Sequence, residues 1–195
     1  PYTTLFRSVM SAHTGLRGYA SVLGHGPAVR PFLAAVIARL PVGMAGLGMI
    51  VLIQQVRGNY SVAGVVTAAF ALATAVSAPF WGRAMDRAGQ PKVLVGTGVA
   101  SSAALAALAL AAVGGAGNLA LILLAALTGL LFPPISPAMR AAWRVIFPDA
   151  QRRNLGYALD ASAVELIFVC GPLLLSLLAA FLPPEAPLLV TAVLM

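Results

Sequence analysis

Three ionisable side chains, Arg39, Asp160 and Glu165, lie inside long apolar stretches of this chain. An unpaired charge that faces hydrocarbon costs about 2.5–3.5 kcal/mol on insertion scales, so these groups should face one another or a water-filled cavity. Their chemistry is then either a purely structural ion pair or the reversible binding of protons or solute. Arg39 could also extend its long side chain to the polar boundary of its stretch.

The depths of these groups along their helices favour a pair between Arg39 and Glu165. A rise of about 1.5 Å per residue places Arg39 about 12 Å from Pro31, where its stretch begins. The same rise places Asp160 about 9 Å and Glu165 about 16 Å beyond Asn154. The two acidic side chains point about 140° apart, so one can pair with Arg39 while the other faces elsewhere. We expect Glu165 to be the partner, with Asp160 as the competitor that could share the same guanidinium.

The composition places these groups in a membrane protein. The chain has 195 residues, of which 61% are hydrophobic and 9% charged, and its mean hydropathy is +0.96. This is too apolar for a soluble domain. The net charge of +7 is assigned to loops, which excludes nucleic acid as a partner. A single cysteine, Cys170, lies in an apolar stretch, so we expect no disulfide, metal site or cofactor.

The apolar residues form runs of membrane-spanning length, about 20 residues each, which predicts an all-α, polytopic transmembrane helical bundle. The expected spans are residues 31–54, 61–81, 91–113, 118–139, 155–182 and 187–195, the sixth cut off by the end of the chain. Prolines 133, 134 and 137 should distort the end of the fourth span. Residues 138–147 are expected to form an amphipathic helix at the lipid headgroups; alternatively, they are the solvent-facing end of that span.

The region before the first span is expected to divide in two. Residues 1–9 begin with Pro-Tyr-Thr-Thr-Leu-Phe-Arg-Ser, which looks like the translation of a DNA-sequencing adapter and is set aside as an assembly artefact. Residues 10–30 are expected to be a cytoplasmic tail, and residues 31–195 the transmembrane lobe. Lys92 is the one lysine among abundant Ala, Gly, Arg and Pro, a bias typical of GC-rich bacterial genomes.

Basic residues alternate with loop parity, which predicts the orientation. The N-terminal tail and the even-numbered loops carry nine of them: Arg17, Arg30, Arg83, Arg87, Lys92, Arg140, Arg144, Arg152 and Arg153. The odd-numbered loops carry Arg57 alone. Cytoplasmic loops are enriched in Lys and Arg. We therefore expect a bacterial cytoplasmic membrane protein whose N-terminus and even-numbered loops lie in the cytoplasm.

A charged segment between the second and third spans has the spacing Gly82-x-x-x-Asp86-Arg87-x-Gly89, followed by Lys92. Any short inside loop would carry Arg for topological reasons. The spacing, however, resembles the loop between the second and third helices of major facilitator superfamily transporters. The resemblance implies that Gly82 allows close helix approach, that Asp86 and Arg87 latch the cytoplasmic side against the other half of the transporter, and that Gly89 adopts the positive φ of a tight turn.

The fifth span contains Gly171-Pro172, similar to the centre of that family's fifth-helix antiporter motif, although Ile167 stands where the motif has Gly. The resemblance implies the six-helix N-terminal lobe of a secondary transporter, in which the first and fifth helices are neighbours. The expected partners are the lipid bilayer, the missing C-terminal lobe, a small-molecule substrate and protons.

Two other classes of function remain open. One is an intramembrane enzyme that uses Asp160 and Glu165, although no span carries a His-Glu-x-x-His, Gly-x-Asp or Ser/His constellation. The other is a polytopic membrane partner that transports nothing. The transporter interpretation is preferred, and no enzymatic activity is expected.

Overall fold

The computed structural model describes residues 22–195, which form a bundle of seven helices without strands. The helices are α1 Gly26–Arg57, α2 Tyr60–Ala88, α3 Gln90–Val113, α4 Asn118–Leu130, α5 Ile135–Ile146, α6 Ala150–Phe181 and α7 Ala186–Val193. The all-α prediction is confirmed. The expectations for residues 1–9, and for the tail up to residue 21, lie outside the described residues.

Within residues 22–195, five segments are long and apolar enough to cross a membrane. Four are single helices, α1, α2, α3 and α6, and the fifth combines α4 and α5 over Asn118–Ile146. A polytopic helical bundle is therefore confirmed. The first segment starts earlier than Pro31, because Pro27 lies in the first turn of α1, where its missing amide removes no helical hydrogen bond.

The ends of α2 follow from local side-chain and backbone chemistry. The side chain of Asn59 accepts hydrogen bonds from the amides of Ser61 and Val62, which satisfies free donors in the first turn. Gly89 ends α2 with φ 88° and is the single residue between α2 and α3. The positive φ expected at Gly89 is confirmed.

The fourth span is broken between α4 and α5, where Pro133 and Pro134 supply no amide hydrogen. Side chains from neighbouring helices bind the carbonyl oxygens at the end of α4. Ser101 Oγ donates to Thr128 O at 2.9 Å, Ser77 Oγ to Gly129 O at 3.3 Å, and Trp81 Nε1 to Leu130 O at 2.6 Å. The break therefore leaves these carbonyls satisfied, as an apolar environment requires.

Glycines set the closest helix contacts. A Cβ added to Gly43 of α1 would lie 2.8 Å from the carbonyl oxygen of Ile167 in α6, and one added to Gly171 would lie 3.1 Å from Gly43 Cα. A Cβ on Gly129 of α4 would overlap the carbonyl oxygen of Phe70 in α2. Small residues thus hold α1 against α6 and α2 against α4.

The helix α5 is amphipathic, but its apolar face packs on the protein. Trp143 is fully buried, with its ring 6.0 Å from that of Phe32 in α1 and 5.9 Å from that of Phe147. A Cβ added to Gly156 of α6 would lie 3.0 Å from Trp143. The aromatic packing makes α5 the end of the fourth span. Its depth relative to the lipid headgroups stays a prediction.

Candidate functional site: a buried ion pair beside a charged cavity

Arg39 of α1 and Asp160 of α6 form a bidentate ion pair inside the bundle. Nη1 donates to Oδ1 at 2.6 Å and Nη2 to Oδ2 at 3.3 Å. Arg39 is 2% exposed and Asp160 6%. The planar guanidinium matches the two carboxylate oxygens, which makes this a strong and directional contact.

The predicted pair between Arg39 and Glu165 is wrong. The face of α6 that packs on α1 contains Asp160 together with Ala163, Ile167 and Gly171, all buried. Glu165 points away from that face and is exposed. Both acidic residues lie at a suitable depth, so the rotation of α6 about its axis decides the partner. That rotation is set by the contact of Gly171 with α1.

A charged cavity of about 540 Å³ lies between α5 and α6, next to the ion pair. Its polar lining consists of Ser136, Arg140, Arg144, Tyr157, Asp160 and Glu165. Arg144 Nε donates to the hydroxyl of Tyr157 at 3.4 Å. Asp160 therefore touches the buried guanidinium of Arg39 and also borders a polar space.

The cavity is lined by charged residues of α5 and α6 that lie far apart in the sequence pattern. Arg140 and Arg144, four residues apart on one face of α5, face α6 across the cavity. Glu165 lines the same space, and no cation of the described residues lies within salt-bridge distance of it. The four-residue spacing indicates that the two arginines share one helix face. It does not indicate which helix that face meets, because the break at the prolines changes the direction of the chain before α5.

The motif segment lies at the junction of α2 and α3, where Met85 and Val93 pack against Ala138 of α5. It is helical up to Ala88, so the turn expected across residues 82–92 is wrong in extent. Asp86, Arg87 and Lys92 are exposed, and in the described part of the chain Asp86 has no ion pair. A Cβ added to Gly82 would meet nothing within 4 Å. The close approach implied at Gly82 is therefore absent from this bundle.

Gly171 and Pro172 lie inside α6. Gly171 acts in packing, since its backbone touches that of Gly43 in α1. Pro172 is exposed to an intermediate degree. Whether the Gly-Pro pair has a further role in transport stays a prediction.

A larger groove of about 870 Å³ runs between α1, α3, α5 and α7, but its walls are apolar apart from Gln90 and Ser102. It offers few groups that could bind a polar solute. Among residues 22–195, no three His, Cys, Asp or Glu side chains come together to bind a metal ion. The charged cavity is thus the better candidate site.

A comparison with protein families matches residues 31–195 to the model described as Major Facilitator Superfamily. Comparisons with curated proteins and with solved structures gave no match. The matched region covers the candidate spans of the described residues, apart from residues 26–30, and includes the Arg39–Asp160 pair and the charged cavity. The chain belongs to the Major Facilitator Superfamily of membrane transporters.

Proposed function

We propose that this chain is the N-terminal lobe of a secondary active transporter that moves a small solute by alternating access. Its setting is the bacterial cytoplasmic membrane, with the N-terminus in the cytoplasm. Family membership supports transport in general. The distribution of basic residues over the loops supports the orientation.

The Arg39–Asp160 pair beside the charged cavity is the observation that carries the proposal. A buried ion pair contributes little to stability, because desolvation offsets most of the attraction between the charges. Ionisable groups within membrane helices are therefore expected to have a function. A solute or proton that enters the cavity can compete with Arg39 for the Asp160 carboxylate. Glu165, the second carboxylate of the cavity, is a further candidate for carrying a proton.

The uncovered faces of the bundle support a second lobe and the bilayer as partners. Large apolar side chains of α2, such as Leu72 and Phe80, are exposed by more than half, as are Leu166 and Val169 of α6. Part of this surface would face lipid and part a second six-helix lobe of the same protein, with the solute passing between the lobes.

Flux measurements on the complete protein that contains this chain test the proposal. It is reconstituted in liposomes, a pH gradient is imposed, and solutes are screened for gradient-driven uptake. The Asp160→Asn variant should lose coupled uptake. The control Asp149→Asn removes a carboxylate from the N-cap of the same helix, where Asn also accepts the amide hydrogen bond, and should keep it. Equal uptake by both variants, or no flux of any solute, would contradict the proposal.

A further inference from the structure

The cavity between α5 and α6 carries an excess of fixed positive charge. Arg140 and Arg144 contribute two guanidinium groups, and Glu165 contributes one carboxylate. The other carboxylate, Asp160, is already balanced by Arg39. Two cations against one uncompensated anion leave the site with one excess positive charge.

The lining residues come from facing sides of α5 and α6. On α5, Ser136, Arg140 and Arg144 follow at intervals of four residues and so share one helix face. On α6, Tyr157 and Glu165 lie at the two ends of the opposite wall. The apolar side chains of Ala161 and Val164 complete that wall. Cations, hydroxyl groups and a short apolar surface therefore converge on one space.

We propose that this cavity binds a small, hydroxylated monocarboxylate, which is the solute of the transporter proposed above and therefore rests on that function. The guanidinium groups of Arg140 and Arg144 would hold the carboxylate through paired hydrogen bonds. Ser136 and Tyr157 would bind hydroxyl groups. The volume of about 540 Å³ is within the usual range for small-molecule sites.

Charge balance selects this class over others. A monoanion neutralises the site, whereas a phosphate monoester, with about 1.5 to 2 negative charges near neutral pH, would place excess negative charge beside Glu165. A cation would meet two guanidinium groups and one carboxylate and would be repelled. A neutral solute would leave the one excess positive charge of the cavity without a partner.

Binding to the complete protein, purified in phosphatidylcholine nanodiscs, tests the inference. The probes are lactate, glycerate and gluconate, compared with glycerol, glucose, glycerol 3-phosphate and choline, and the readout is titration calorimetry. At least one carboxylate should bind, while the neutral and cationic probes should not. Absence of carboxylate binding up to about 10 mM, well above common KM values, would overturn the proposal, as would tighter binding of the phosphate ester.

Substitutions assign the binding to the cavity. Arg140→Gln and Arg144→Gln should each weaken carboxylate binding by about 10- to 100-fold, since each removes a charged hydrogen-bond donor. Arg140→Lys keeps the positive charge but loses the paired hydrogen bonds of the guanidinium, so its loss of affinity should be smaller than that of Arg140→Gln. The control Arg152→Gln removes a positive charge at an exposed position of α6 outside the cavity and should not change the affinity. Equal losses in Arg152→Gln and Arg140→Gln would overturn the proposal.

Three further results distinguish the carboxylate site from a lipid-headgroup site and from the transport proposal. If phosphatidylglycerol in the nanodiscs abolishes carboxylate binding and itself requires Arg140 and Arg144, the site is a lipid-headgroup site and the solute proposal is wrong. Carboxylate binding without any flux would contradict the transport proposal alone. Gradient-driven flux of a non-anionic solute, with no carboxylate binding, would contradict this inference alone.

Discussion

The Arg39→Gln substitution would leave the carboxylate of Asp160 buried without its cation, and Asp160→Asn would do the same to the guanidinium. The two residues are 2% and 6% exposed, so the lost partner is replaced only by the little water that reaches Asp160 from the cavity. Removal of one member of a buried pair typically costs about 3–5 kcal/mol. We expect each single variant to lose that much unfolding free energy. The double variant should lose less than either, because two neutral amides leave no buried charge.

The size of the coupling follows from the geometry. Single losses of about 3–5 kcal/mol and a smaller loss in the double variant imply a coupling energy above about 3 kcal/mol. This exceeds the range of about 0.5–3 kcal/mol typical of residues in contact, as expected for a bidentate contact at 2.6 and 3.3 Å inside the bundle. Equilibrium unfolding of the complete protein by SDS in mixed micelles would measure it. Trp143 of α5 is fully buried and packs against Gly156 of α6, close to Asp160 in the chain. It provides the fluorescence signal for unfolding.

The control is Glu165→Gln, which removes an exposed carboxylate from the same helix and should change stability by no more than about 0.5 kcal/mol. Strictly additive losses in Arg39→Gln and Asp160→Asn would refute the pair. A loss in Glu165→Gln as large as that in Asp160→Asn would restore the partner that the sequence predicted.

Three further predictions concern the backbone and are measured by the same unfolding assay. Gly43→Ala should cost about 1–3 kcal/mol, since its Cβ would lie 2.8 Å from a carbonyl oxygen of α6; an unchanged stability would contradict the close contact. Gly89→Ala should cost about 1–3 kcal/mol because φ is 88° there, and a stabilised variant would refute the turn. Gly96→Ala, whose Cβ meets nothing within 4 Å, is the control for both. Trp81→Phe should cost about 1–2 kcal/mol through the donor lost to Leu130 O, and no loss would show that this hydrogen bond is dispensable.

The spans could be predicted from sequence because their apolar runs depend on local composition alone. The turn at Gly89 was also predictable from the local sequence. A glycine allows the positive φ that this one-residue connection between two helices adopts. The partner of Arg39 was not, because it depends on how far α6 is rotated about its axis. That rotation results from the contact between Gly43 and Gly171, and nothing in the local pattern of α6 indicates which glycine faces α1.

The charged cavity was only partly predictable. The shared face of Arg140 and Arg144 is evident from their spacing, but that face looks the same whether it meets lipid headgroups, water or another helix. Burial of Trp143 between α1 and α6 decides the matter, because it turns the arginines toward α6. This is tertiary packing, and it involves residues more than a hundred positions apart in the chain, such as Phe32.

Access to the cavity from the two sides of the membrane tests the central claim most directly. A single cysteine at Ala161, which lines the cavity, would be introduced with Cys170→Ser in the complete protein and labelled with a membrane-impermeant maleimide from either side. Cysteines at Gln90 and Gly115 would mark the cytoplasmic and external faces. Alternating access predicts that Ala161→Cys is labelled from both sides, while each marker is labelled from one side only. Labelling of Ala161→Cys from a single side, with or without an imposed pH gradient, would contradict the account.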